Sequence, residues 1–147
     1  MNKYKIISII LALAFIVALV RSLAFSGEAA APADKAVFDN IMTRTSVREY
    51  ADRPVRRTLL DSLARAGMAA PTALDMRPWK YVIVDDKQTL QTLGNNLPYA
   101  GFAAQAPAAI VVCGDTAVVD KQGRSSRFWV EDCSAATENI LLAAHGF

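Results

Sequence analysis

The sequence predicts an α+β fold, in which helices flank a β-sheet, preceded by an N-terminal hydrophobic segment. Its 147 residues are 53% hydrophobic and 20% charged, which is the composition of one globular domain with an apolar excess. Two short runs rich in β-branched residues have the composition of strands, and several longer segments carry apolar residues at helical spacing. The two patterns together indicate a mixed fold.

The apolar excess is concentrated at the N-terminus. Two lysines precede an apolar run, Ile6–Val20, and small residues follow it. This three-part pattern is typical of a secretory signal, so residues 1–25 predict export to the periplasmic or extracytoplasmic side. An uncleaved anchor, with membrane contact through residues 6–25, is one alternative, and a buried helix is another, because the run is short for a membrane span. Residues 26–36 are predicted to form a linker.

The domain that follows, residues 37–147, opens with two amphipathic helices. The first is predicted from Asp34 to Thr43 and the second over 56–69, with Pro71 just beyond its end. In each helix, apolar residues recur at helical spacing: Val37, Phe38, Ile41 and Met42 in the first, and Leu59, Leu60, Leu63 and Ala66 in the second. Each helix therefore has one face suited to packing on a core.

Two strands are predicted next. Trp79–Val84 is β-branched and aromatic, and 108–114 is a continuous apolar run, which predicts a central strand buried on both faces. Between them, Asp86 is placed to cap a short helix and Gly94 to stop it. Residues 95–107 are predicted to be irregular.

The most strongly periodic helix follows the loop 115–126. Its apolar residues recur in steps of three and four: Trp129, Cys133, Ala136, Ile140, Ala143 and Phe147. A lone pair of strands is marginal as a sheet, and this helix needs further cover. The fold is therefore expected to be incomplete at the C-terminus, with more of the domain lying beyond Phe147.

Composition disfavours several function classes. A single histidine, His145, argues against a His-rich zinc site and a complete Ser-His-Asp triad, and glycine-rich phosphate loops are absent from the sequence. The net charge of +2 is too small to indicate a nucleic-acid partner. Cys113 and Cys133 each lie in an apolar stretch, so free core thiols are expected rather than a disulfide.

The first candidate binding motif follows the first amphipathic helix. Arg44, Thr45, Ser46 and Arg48 supply two guanidinium groups and two hydroxyls within five residues, a set suited to holding a phosphate. In an extended turn, Arg44, Ser46 and Arg48 would point to the same side. On residue type alone, a solvated basic loop is the preferred interpretation.

The second candidate motif is the segment 70–79, which leads into the first strand. Pro71 and Pro78 bracket a stiff loop that contains polar residues, and such loops often fix binding groups at the edge of a scaffold. The alternative is a plain connection from helix to strand, with Trp79 in the core.

Taken together and in this order, the two motifs resemble those of the nitroreductase family. The first resembles the family's R-x-S-x-R/K-x-F/Y motif, matched by Arg44, Ser46, Arg48 and Tyr50. The second resembles its P-S/T-x-x-N-x-Q-P-W segment, matched by Pro71, Thr72, Pro78 and Trp79. The strand at 107–114 and the helix ending at Phe147 resemble the family's middle strand and long dimer helix. The resemblance covers about residues 37–147 and implies a nitroreductase-like sheet.

Two positions depart from the family pattern. Asp75 stands where the family usually has Asn, and Arg77 where it usually has Gln. An anionic Asp75 beside a flavin would be unfavourable unless it were paired, and Arg77 is an available partner.

The resemblance implies a homodimer that holds FMN in two sites at the subunit interface. One subunit would bind the phosphate, ribityl chain and ring edge through Arg44, Thr45, Ser46 and Arg48. The other subunit would meet the flavin through the second motif, with the contact residues Pro71, Thr72, Ala73, Asp75 and Arg77.

The resemblance also implies an activity: hydride passes from NAD(P)H to a nitro, quinone or flavin-type acceptor in ping-pong turnover. The flavin carries this chemistry, so no catalytic side chain and no metal are expected. Two alternatives stay open, a non-catalytic anion-binding or interaction module and an inactive fragment.

Overall fold

A computed structural model describes residues 3–25, 33–125 and 127–147. They divide into two units, one ending at Asp39 and the other comprising Asn40–Phe147. The first unit contains helix α1 (Lys3–Phe25) and most of helix α2 (Ala33–Thr43). None of the helices within the described residues is both long and apolar enough to cross a membrane. The larger part of the predicted linker, residues 26–32, lies outside the described residues.

The second unit is built on two helices that pack against each other, α3 (Arg57–Met68) and α5 (Trp129–Gly146). Both match predicted helices, as does α2, and α2 ends at Thr43 as expected. The buried side chains between α3 and α5 are those on the facing stripes of the two helices: Leu60, Leu63, Ala64, Ala136 and Ile140. Gly67 of α3 leaves room for Ile140, because an added Cβ would lie 2.9 Å from its Cδ1. Ala70, just beyond α3, and Leu90 are also buried, so the core extends beyond this contact.

In the part of the chain that the structure describes, the sheet has two antiparallel strands, β1 (Trp79–Val84) and β2 (Ala109–Gly114). Both predicted strands are confirmed. The expectation that the second strand is central and buried on both faces is wrong for the residues described, because β2 pairs with β1 alone and Val111 is 37% exposed. Val111 lies opposite Val82, which is 52% exposed, and Cys113 is exposed beside them. We call Val82, Val111 and Cys113 the open sheet face.

Helix α4 (Lys87–Asn96) connects the strands, together with a short 3₁₀ helix, Gly101–Gln105. Asp86 caps α4 as expected, since its carboxylate accepts a hydrogen bond from the Thr89 amide at 2.8 Å. Gly94 does not stop the helix, which continues to Asn96. A Cβ on Gly94 would lie 2.6 Å from the Ala104 amide nitrogen, so glycine is needed here for close packing. The predicted irregular segment 95–107 therefore contains ordered helical structure.

Both cysteines are free thiols, as expected. Their predicted place in the core is only partly correct, because Cys113 is exposed and Cys133 is half-buried. Burial raises the pKa of the Cys133 thiol, and the nearby negative charge of Asp132 acts in the same direction.

Candidate functional site

The first predicted motif lines a cavity of about 550 Å³. The chain leaves α2 at Thr43 and runs without regular secondary structure through this motif. Six of its residues line the cavity: Arg44, Thr45, Ser46, Val47, Arg48 and Tyr50. The structure thus brings together Arg44, Thr45, Ser46 and Arg48, the four residues that the resemblance assigned to the phosphate, ribityl chain and ring edge of FMN.

The opposite wall of the cavity comes from distant parts of the chain. Phe102 of the 3₁₀ helix contributes an aromatic ring, and α5 contributes Leu141, Ala144 and His145. Sequence reasoning assigned none of these four to a site. The cavity therefore combines a cationic, hydroxyl-bearing wall with a largely apolar one.

Two hydrogen bonds fix the point from which the first motif starts. The Asn40 side-chain Nδ2 donates to the Leu142 carbonyl oxygen at 3.0 Å, and Thr43 Oγ1 lies 2.9 Å from His145 Nε2. Both join the end of α2 to the end of α5. The residues that follow Thr43 consequently emerge beside the last turn of α5.

Arg44 is held toward α5 by an ion pair, in which its Nε lies 3.4 Å from Glu138 Oε1. The Arg44 side chain is 27% exposed and that of Glu138 is 53% exposed. Solvent-accessible pairs of this kind are weak, so the guanidinium can turn toward an incoming anion at little cost.

Arg48 is positioned by an aromatic ring. Its guanidinium carbon lies 5.8 Å from the centre of the Phe102 ring, within the range of a cation–π interaction. Phe102 also contacts Tyr50, with ring centres 6.5 Å apart. One aromatic residue from the 3₁₀ helix thus orders two side chains of the first motif.

The second motif has an unusual backbone. A single 3₁₀ turn, Ala73–Asp75, precedes β1. Three non-glycine residues in this segment have left-handed φ values: Leu74 at 54°, Asp75 at 55° and Arg77 at 49°. Such values are uncommon outside glycine and indicate strain. The Arg77 amide donates to Thr72 Oγ1 at 3.1 Å, which closes the turn.

The two residues that depart from the family pattern pair with each other, as expected. Arg77 Nε donates to Asp75 Oδ1 at 2.7 Å and Nη2 donates to Oδ2 at 3.1 Å, which is a bidentate arrangement. Hydrogen bonding to Asp75 and its negative charge raise the pKa of Arg77. The Asp75 charge is therefore compensated locally.

The second motif faces other cavities than the first. Ala73, Leu74 and Met76 line a cavity of about 540 Å³, whose remaining wall is formed by residues of the segment 120–128. Asp75 lines a neighbouring cavity, while Pro71 is exposed and Thr72 half-buried. Within one chain, the first and second motifs thus line different cavities.

Asp132 is a further polar residue at the second motif that sequence reasoning missed. Its Oδ1 accepts a hydrogen bond from the Ala73 amide at 2.8 Å, and the residue is 5% exposed. Its helical spacing in the sequence could have predicted its burial, because Asp132 lies four residues before Ala136 and eight before Ile140, on the buried stripe of α5.

Comparison with known protein families identifies a match over residues 41–97 to the model of the nitroreductase family. A relative from Methanothermobacter thermautotrophicus, with the provisional name NADH dehydrogenase/NAD(P)H nitroreductase, is 42% identical over 109 residues. That alignment covers 74% of this chain and 55% of the relative.

Solved structures give the same match. A Bacteroides thetaiotaomicron protein of the same provisional name is 46% identical, with a TM-score of 0.68 and coverage of 75% of this chain and 61% of that one. An FMN-dependent nitroreductase from Clostridium difficile is 33% identical, with a TM-score of 0.63 and coverage of 74% and 60%. The chain thus spans 55% to 61% of the length of these relatives.

Proposed function

Because the chain belongs to the nitroreductase family, we propose that it is part of an FMN-dependent oxidoreductase that passes hydride from NAD(P)H to a nitro, quinone or flavin-type acceptor. The observation that carries the proposal is the cavity in which Arg44, Thr45, Ser46 and Arg48 come together. The name of the Clostridium difficile relative, an FMN-dependent nitroreductase, supports the choice of cofactor.

The donor set fits the phosphate end of FMN. Guanidinium groups bind phosphate oxygens through charge-assisted hydrogen bonds, and the hydroxyls of Thr45 and Ser46 can add neutral ones. The cavity volume of about 550 Å³ lies within the range of small-molecule and cofactor sites. The apolar wall of Leu141, Ala144 and Phe102 suits the less polar parts of the same ligand.

When bound, the flavin supplies the hydride chemistry, so the chain's own residues need only bind, orient and balance charge. Arg44 and Arg48 would hold the negative end of the cofactor. Arg48, which Phe102 keeps in place, would also stabilise negative charge near it. No general base is required, and we expect NAD(P)H and the acceptor to react in turn, in ping-pong order.

We further propose that the second motif acts on the flavin of a partner subunit in a homodimer. The two motifs line different cavities within one chain, which supports a site shared between two copies. Ala73 and Asp75 would then meet the ring from the partner's side, with Pro71 and Thr72 shaping the loop and Arg77 neutralising Asp75.

The proposal is tested by titrating the chain with FMN and, separately, with riboflavin, which lacks the phosphate, and by following flavin fluorescence. Arg44→Ala and Ser46→Ala should each weaken FMN binding, Arg44→Ala by about tenfold or more, because a charged hydrogen bond contributes about 1.5–3 kcal/mol. Riboflavin binding should change little. Arg65→Ala, a substitution of an exposed arginine on α3, is the matched control.

Two results would count against the proposal. If FMN and riboflavin bind equally and Arg44→Ala affects both alike, the cavity does not hold the phosphate. If the folded chain binds neither flavin but inorganic phosphate protects Arg44 from chemical modification, the anion-binding alternative replaces the flavin site.

For residues 1–25 we propose a secretory signal that takes the protein to the extracytoplasmic side. The basic start and the apolar run support it, and the structure describes a helix there, α1, whose described apolar side chains are exposed. The mass of the mature protein from its native host tests this proposal. A product that retains residues 1–25 would favour the uncleaved anchor.

A further inference from the structure

The side chain of Asp132 is a buried acid of which one carboxylate oxygen accepts a hydrogen bond and the other has no partner within the described residues. It lies in the first turn of α5 and is 5% exposed. Oδ1 accepts the Ala73 amide hydrogen at 2.8 Å, whereas Oδ2 is buried and accepts no hydrogen bond from the residues that the structure describes. A buried carboxylate oxygen without a donor costs free energy of folding. Stability alone therefore does not account for an acid at this place.

The backbone that directly follows Ala73, the residue that Asp132 contacts, is strained. Leu74, Asp75 and Arg77 have left-handed φ values, and each such residue costs about 1–3 kcal/mol. Backbone of this kind persists only where its surroundings hold it. The Thr72–Arg77 and Asp75–Arg77 contacts act within the turn, whereas the Ala73–Asp132 hydrogen bond ties the turn to α5.

We propose that Asp132 is a positioning residue, which holds the Ala73 amide and thereby fixes the Leu74–Arg77 turn in the orientation that meets a flavin. The inference rests on the proposed function for its second half, the contact with flavin. Its first half, the anchoring of the turn, concerns the chain alone. The strained Leu74–Arg77 turn and the unpartnered Oδ2 of Asp132 lie next to each other, and unfavourable features of this kind concentrate at functional sites.

Three variants separate anchoring from general stability. Asp132→Ala removes the acceptor. Asp132→Asn keeps an oxygen that can accept from Ala73 and so should rescue the contact. Asn139→Ala is the matched control, because Asn139 also lies on α5 and its Nδ2 donates to the Ala66 carbonyl oxygen at 3.2 Å, on α3 rather than on the turn.

The anchoring is measured by amide hydrogen exchange in the full chain without flavin. Asp132→Ala should speed exchange at Ala73 by roughly tenfold or more, as expected for the loss of a buried hydrogen bond to a charged acceptor. Asp132→Asn should remain near the parent rate, and Asn139→Ala should not affect Ala73 selectively. An unchanged rate in Asp132→Ala, or an equal acceleration in Asn139→Ala, would overturn the anchoring.

The positioning is measured by FMN affinity and by the visible circular dichroism of the bound flavin. Asp132→Ala should weaken binding by about tenfold to a hundredfold and change the dichroism, while Asn139→Ala leaves both unchanged. If exchange at Ala73 accelerates but affinity and dichroism do not change, the positioning role is wrong although the proposed function stands. If the parent chain binds no FMN, the proposed function fails and the exchange rates alone decide the anchoring.

Discussion

The hydroxyl of Tyr81 is buried beneath the sheet and has no hydrogen-bond partner within the described part of the chain. The centre of its ring lies 5.4 Å from that of Trp79, and a Cβ added to Gly67 of α3 would lie 3.0 Å from Tyr81 Cε1. Burial raises the pKa of Tyr81 to about 12, because the ionised phenolate loses its hydration there. The ring packs in the core, but the buried hydroxyl gains no hydrogen bond there from the described residues.

We therefore expect Tyr81→Phe to raise the free energy of unfolding by about 1 kcal/mol, since the substitution keeps the ring and removes an unsatisfied hydroxyl. Chemical denaturation at neutral pH measures the change. Tyr99→Phe is the control, because Tyr99 is 93% exposed and should be neutral. A loss of stability in Tyr81→Phe would show that the hydroxyl has a partner in solution.

The same substitution has a pH signature. The pKa of Tyr81 is higher in the folded chain than in the unfolded chain, so the unfolded chain releases the Tyr81 proton first as pH rises. The contribution of this titration to the free energy of unfolding is therefore fully present below pH 10 and is lost as pH rises toward 12. Tyr81→Phe should flatten this part of the stability profile relative to the parent chain.

At the scale of elements, Gly94 decides how closely α4 packs on the 3₁₀ helix Gly101–Gln105. Replacing a helical glycine by alanine ordinarily stabilises a helix by about 1 kcal/mol. Here the added Cβ would lie 2.6 Å from the Ala104 amide nitrogen and 2.7 Å from its Cβ. We expect Gly94→Ala to destabilise the fold by about 1–3 kcal/mol, because backbone has to move.

Thermal unfolding measures this effect, and Gly101→Ala provides the control. A Cβ on Gly101 would meet nothing within 4 Å, so that substitution should leave the melting temperature nearly unchanged. If Gly94→Ala were as stable as the parent chain, the close approach of the two elements would be absent in solution.

The elements also show what the sequence could and could not predict. β1 was predicted over the residues it occupies, because its pattern is local, and the first motif was identified from residues adjacent in sequence. Gly94 was misassigned, since a glycine that ends a helix and one that admits a neighbour look alike in sequence. Phe102 and Asp132 were missed as site residues, because their contacts are with residues more than 50 positions away.

At the scale of the whole molecule, the open sheet face is an apolar surface on a two-stranded sheet. Val82 and Val111 lie opposite each other and are 52% and 37% exposed. Sheets of two strands are marginal alone, and exposed apolar patches favour association. Within the described residues, the apolar run of β2 therefore leaves one of its faces partly exposed.

We expect the double substitution Val82→Thr and Val111→Thr to weaken self-association of the chain by about tenfold, because it reduces the apolar area buried in each contact. Sedimentation velocity over a range of concentrations measures the change. Leu97→Thr, at a position that is 47% exposed and lies outside both strands and both motifs, is the control. Equal effects of the two variants would show that association uses another surface.

The open sheet face also carries a built-in chemical reporter. Cys113 is exposed on it, opposite Lys80 in the strand register, while the half-buried Cys133 has a raised pKa. Because the thiolate is the form that reacts, an alkylating reagent should modify Cys113 well before Cys133. The rate at which Cys113 is alkylated depends on how accessible the open sheet face is to solvent. A slower rate would therefore show, without any substitution in the chain, that another surface covers this face.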